Sequence, residues 1–161
     1  MKNRKRTQLI AFILIVVITG LFPGLGTAST TFVLSKGQRV YVPVYSHIYH
    51  GNRERQLNLT ATLSIRNTNL EKDIVIDSID YFSSNGKLLK RYLETPIVLK
   101  KFSSIRHVIK AKDISGGSGA KFIVIWKSKD LVNAPLIEAI MISTQSQQGI
   151  SFVSRGQAIK E

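Results

Sequence analysis

The sequence predicts an all-β protein: an immunoglobulin- or fibronectin-like antiparallel β-sandwich of seven to nine short strands, preceded by an N-terminal signal helix. Three observations carry this. Residues 57–67 alternate strictly, with Leu57, Leu59, Ala61, Leu63 and Ile65 on one parity and Asn58, Thr60, Thr62, Ser64 and Arg66 on the other. Successive side chains of a strand point to opposite faces, so this stretch is a half-buried strand of an antiparallel sheet. Turn signals such as Asn67-Thr68-Asn69 and Ser83-Ser84-Asn85-Gly86 then recur at the spacing of sandwiches. No segment beyond residue 28 has the 3.6-residue period of an amphipathic helix. With 161 residues the chain is long enough for one domain with a real core.

Taken in order, residues 39–50 alternate between Val40, Val42, Val44 and Ile48 on one side and Tyr41, Pro43, Tyr45, His47 and Tyr49 on the other. Pro43 lacks an N–H, which places this strand at an edge or beside a bulge. Gly51-Asn52 begins a turn, and strand 57–67 follows. Ile74 to Phe82 is β-branched and aromatic, hence a strand. Asn85-Gly86 supplies positive φ for a hairpin, and residues 87–93 return as a short basic strand. Thr95-Pro96 bends the chain into a brief strand at 97–99. Residues 105–112 set Ile105, His107 and Ile109 against Arg106, Val108 and Lys110. Residues 122–126 and 136–142 are continuous apolar strands, and 150–153 makes a last short one. The two continuous runs are expected to be neighbours in the middle of one sheet, their outer face covered by the chain's own loops or terminus. The antibody pattern does not transfer, since Cys is absent and Trp126 lies on a late strand; a small barrel is the structural alternative.

Residues 1–28 read as a signal peptide. Lys2, Arg4, Lys5 and Arg6 precede an apolar run, Leu9 to Phe22, and Gly26-Thr27-Ala28 offers small residues before a cut at Ser29. The run is shorter than the roughly 20 residues of a spanning helix and ends in Pro23-Gly24. An uncleaved membrane anchor is the alternative. The expected division is therefore a signal peptide at 1–28, an N-terminal segment at 29–38 and a single domain at 39–161. The expected location is periplasmic or secreted. The formal charge is +13; removing those four basic residues leaves 19 against 10 acidic, still strongly basic. With no Cys, disulfides, thiolate metal sites and thiol catalysis are excluded.

Five segments, residues 41–49 (Tyr-Val-Pro-Val-Tyr-Ser-His-Ile-Tyr), 63–68, 116–126, 137–142 and 149–154, resemble a family of exported bacterial proteins known as domain of unknown function 3124. The resemblance spans about residues 40–159. It implies a bacterial envelope or secreted protein and brings no activity or site residues with it.

Candidate chemistry is sparse. His47 and His50 face opposite sides of a strand, and His107 is distant, so no metal-ligand spacing emerges. Residues 116–119 lack both the Lys-Ser/Thr of a phosphate loop and the strand-to-helix turn of a nucleophile elbow; positive φ or a close backbone approach explains the glycines better. Asp77 and Asp80, at opposite parity, read as edge charges. Glu138 lies within an apolar run and needs a cation, with Arg66 or Lys127 the candidates for a structural ion pair. Tyr41, Tyr45, His47 and Tyr49 form an aromatic stripe opposite the valines and are the candidate binding residues. Lys87, Lys90, Arg91, Lys100, Lys101, Arg106, Lys110 and Lys112 form a basic middle region that attracts anions.

The reading is a non-enzymatic, exported binding or assembly module of the envelope, with no cofactor. Its partners would be anionic envelope polymers, lipid head groups, another envelope protein or a second copy. Nucleic acid is not expected, because no recognition motif is present. The alternative is a periplasmic hydrolase or metal-binding protein using Glu138 and the His residues.

Overall fold

The structure, a computed structural model, describes residues 34–144 and 149–160. The signal peptide and cleavage site expected at residues 1–28 lie outside them. The described chain is all-β and antiparallel, with twelve strands and no helix. In order these are β1 (Leu34–Val44), β2 (His47–His50), β3 (Arg55–Asn58), β4 (Thr60–Arg66), β5 (Ile74–Phe82), β6 (Leu88–Arg91), β7 (Ile97–Leu99), β8 (Ser104–Ile109), β9 (Ala120–Asn133), β10 (Leu136–Ser143), β11 (Ile150–Arg155) and β12 (Gln157–Ile159).

They form a six-stranded sheet in the order β12-β1-β9-β5-β6, with β7 also paired to β5. A four-stranded sheet has the order β11-β10-β4-β8, and β2-β3 is a separate hairpin. Both sheets feed one core. Val40, Val42, Val44, Ile76, Ile79, Phe122, Val124 and Trp126 come from the larger sheet; Ala61, Leu63, Ile65, Ile137, Ala139 and Met141 come from the smaller. All five apolar positions of the 57–65 alternation are buried, as that pattern predicts.

Pro43 sits where β1 is in effect an edge. Strand β12 covers only Arg39, Val40 and Tyr41, while β9 pairs with β1 along its length. Strand β1 also begins five residues earlier than the alternation indicates. Residues 34–38 have no apolar period, yet Leu34 pairs with Asn133 and Gly37 with Lys127. Gly37 allows this, since a Cβ there would lie 2.7 Å from the Trp126 carbonyl oxygen. Strand β9 is likewise longer than its apolar run: its pairing with β1 reaches Lys127, bulges over residues 128–131 and resumes at Val132 and Asn133.

Strand β5 holds a bulge at Asp77: Ile76 pairs with Trp126 but Ser78 with Ile125. The extra residue changes the phase, so Ile74 and Ile76 face inward before it and Ile79 and Tyr81 after it.

The expectation that 122–126 and 136–142 are neighbours in one sheet is overturned. Strand β9 is central to the larger sheet and β10 to the smaller. Phe122, Val124 and Trp126 on one, and Ile137, Ala139 and Met141 on the other, face the shared core. Their second faces are only half covered, and Ile142 is exposed. Continuous hydrophobicity marked two strands central to their own sheets, and it cannot say which sheet.

The last strand ties the sheets together. Strand β11 edges the smaller sheet and β12 the larger, with Gly156 between them. Its N–H donates to the Ile137 carbonyl at 2.8 Å. A Cβ there would lie 2.6 Å from Val40 Cγ1 and 2.9 Å from the Ile137 oxygen.

Candidate anion-binding cleft

The tyrosine stripe is split by the backbone. The ladder stops between Val44 and His47, and the phase changes there. Tyr41 stays half-buried on the larger sheet, opposite Ile123 and Gln157. Tyr45 packs edge-on against Phe152 at 5.7 Å and against the core. His47 is buried; its Nδ1 is 3.2 Å from Ser46 Oγ and its Nε2 3.2 Å from the Tyr49 hydroxyl. Tyr49 is exposed on the hairpin. Ser46 itself is locked, accepting from the Gly117 N–H at 3.0 Å.

Glu138 meets Arg66 at 3.6 Å on the outer face of the smaller sheet, above a hollow of about 680 Å³ that Arg106 and Phe102 also line. Arg66 further donates from Nε to Ser64 Oγ at 3.1 Å. Lys127, the other candidate partner, instead pairs with Asp77 at 2.8 Å. Asp80 lies 3.8 Å from Arg91, so both aspartates of β5 are ion-paired rather than merely solvated. Glu138 and the three histidines do not converge: His107 faces inward from β8, His47 lies at the corner after β1, and His50 ends β2. Among the described residues no three His, Asp or Glu side chains come close enough together to hold a metal ion.

The residues that do converge lie at the end of the molecule where β5 turns into β6. The Asn85-Gly86 hairpin, with Gly86 at φ +78°, returns the chain so that Lys90 pairs opposite Tyr81. The Tyr92 N–H then donates to the Ile79 carbonyl at 2.9 Å, fixing the Tyr92 ring beside the cleft. From the other sheet, β8 ends at Ile109 and a turn closed by the Asp113 N–H on the Lys110 carbonyl at 2.9 Å brings in Lys110 and Lys112. Tyr81, Tyr92, Lys90, Lys110, Lys112 and Asp113 line the resulting hollow of about 320 Å³.

The Tyr81 hydroxyl is buried and has no hydrogen-bond partner among the described residues. It lies where a Cβ of residue 116 would be, which explains Gly116; Gly117, at φ +83°, makes the next turn. Burial, then the charge of Asp113 and the neighbouring Tyr92, push the Tyr81 phenol up to about 12. Burial and Asp113 raise Tyr92 as well. Both phenols therefore keep their protons and can donate. Lys90 Nζ stands 4.4 Å above the Tyr92 ring, a cation–π contact. Tyr92 in turn meets His107 edge-on at 4.7 Å. Burial, and then the Lys90 ammonium, lower the pKa of His107, so the ring is neutral at pH 7.

Lys90, Lys110 and Lys112 form no ion pair with any described residue, and Asp113 is engaged by the Ser115 N–H and hydroxyl. Three lysines without an ion pair among the described residues line this hollow together with Tyr81 and Tyr92, a cationic recess suited to a phosphate, carboxylate or sulfate. The basic middle region was legible in sequence. The participation of Tyr81 and Tyr92 was not, because the Asp77 bulge decides which way Tyr81 points.

An antiparallel all-β domain with such a recess defines a class only broadly. The chain belongs to the family described as protein of unknown function (DUF3124), whose model matches residues 37–159, from β1 to β12. No curated protein matches it at a significant level. Among solved structures it is similar to one described as "Crystal Structure of Thermotoga maritima 1070", with 10% identity and a TM-score of 0.44 over 74% of this chain and 92% of that one.

Proposed function

We propose that this protein is an exported, non-enzymatic binding module of the bacterial envelope whose domain is an immunoglobulin-like β-sandwich. Its ligand is an anionic envelope polymer, seated at the Lys90–Lys110–Lys112 cleft. The observation that carries the reading is the unpartnered Tyr81 hydroxyl among three unpaired lysines. The charge balance agrees, since the chain stays strongly basic after loss of its first 28 residues. The sandwich reading rests on strand pairing. Strand β4 pairs with β8 and β5 with β9, while β4→β5 and β8→β9 each cross between sheets. That is the central four-strand arrangement of immunoglobulin-like domains. Strands β1 and β10 are then exchanged relative to an antibody domain, with β1 beside β9 and β10 beside β4.

The test is a calorimetric titration with a poly(glycerol phosphate) and with a neutral glucan. The expected result is salt-sensitive binding of the polyanion alone, weakened about tenfold or more when Lys90, Lys110 and Lys112 are all replaced by Ala. A triple variant that stays folded and binds like the parent would overturn the assignment.

A further inference from the structure

The opposite end of the domain carries a different surface. Three loops meet there. The Asn67 N–H donates to the Ser103 carbonyl at 2.9 Å and the Phe102 N–H to the Asn69 carbonyl at 2.9 Å; Thr68 Oγ1 donates to the Ala134 carbonyl at 3.3 Å. The side chain of Asn67, itself buried, donates to the carbonyls of Lys72, Leu99 and Lys100. This knitted end projects apolar side chains outward: Phe102 is 74% exposed, Leu70 67%, Leu131 60% and Val98 57%. Phe102 also holds φ +52°, a left-handed conformation that bulky residues avoid. Strain that holds an aromatic ring in solvent has no use in packing, and such outliers gather at functional sites.

Lysines flank these tips. Lys72, Lys100 and Lys127 are paired with Asp130, Asp73 and Asp77. Lys36, Lys101 and Lys129 form no ion pair with any described residue. Apolar and aromatic tips ringed by unpaired lysines match the headgroup region of an anionic bilayer, which accepts apolar side chains at shallow depth and attracts cations.

We infer that this loop end docks on an anionic lipid surface, with Phe102, Leu70 and Leu131 dipping into the headgroup region and Lys36, Lys101 and Lys129 at the phosphates. The inference is independent of the cleft, which lies at the other end of β5.

The test uses the full chain, whose lack of cysteine lets one residue carry a probe. Phe102→Cys, Leu70→Cys and, at the opposite hairpin, Asn85→Cys are each labelled with an environment-sensitive fluorophore and added to vesicles containing phosphatidylglycerol. The expected result is blue-shifted emission and quenching by nitroxide-labelled lipid at positions 102 and 70 but not at 85. Exchanging phosphatidylglycerol for phosphatidylcholine should weaken the effect, as should Lys101→Glu with Lys129→Glu. Equal quenching at all three positions, or none at any, would overturn the inference. So would burial of the 102 and 70 probes through concentration-dependent self-association without lipid, which would make the surface a contact between copies.

Discussion

Tyr81 is the side chain on which the cleft depends most. A buried hydroxyl without a partner costs stability. Tyr81→Phe should therefore leave the domain as stable or raise its stability by up to about 1 kcal/mol, while lowering affinity for the polyanion. A urea melt and the calorimetric titration together check this; a loss of stability with unchanged binding would show the hydroxyl to be structural. His107 adds a pH dependence. Its folded pKa lies below the ordinary 6.5, so the unfolded chain binds the proton more readily. Stability contributed by the neutral ring is complete above pH 6.5 and declines as pH falls through that value toward the folded pKa. In His107→Leu the part of the acid decline between pH 7.5 and 5 that belongs to this ring should vanish, as urea midpoints at the two pH values would reveal.

At the scale of elements, the alternation of 57–65 translates directly into energy. Leu63→Ala should cost about 2–5 kcal/mol, as removal of a buried leucine does. Thr62→Ala, on the outer face, should cost roughly 0.5 kcal/mol or less. Equal losses in urea would mean that the faces are reversed. Strands were legible wherever two faces differ in polarity or a turn residue punctuates the chain: Asn85-Gly86 and residues 115–119 mark the boundaries they suggest, and Pro43 lies where β1 is paired on one side only. Strand ends at Leu34 and Asn133 were not legible, because backbone pairing there continues through residues with no apolar period. The ion pair of Glu138 with Arg66 was legible, since a carboxylate in an apolar run needs a cation nearby. The tyrosine stripe was misleading as a single face, because one break between Val44 and His47 changes the phase and parity counting assumes none.

For the whole molecule, local pattern gave strands but not their assignment to sheets. Strands β9 and β10 look alike in sequence and lie in different sheets, a choice made by pairings between residues far apart in the chain. The seam at Gly156 is the sharpest case. Gly156→Ala should destabilise by about 1–3 kcal/mol, because the added methyl meets Val40 and the Ile137 carbonyl with no room to move aside. Thermal melts of the variant would measure it.

That seam has a further bearing on when the protein can fold. Among the described residues the first strand pairs only with β9 and β12, and Arg39 lies opposite Ile159, 120 residues further along. A growing polypeptide thus holds β1 without either neighbour until β9 has been made, and the seam at Gly156 forms only after β12 follows. Pairings of such long range form slowly. Under the export proposed above, such a delay would suit passage through a translocation channel, since the sheets would close only after β12 had crossed.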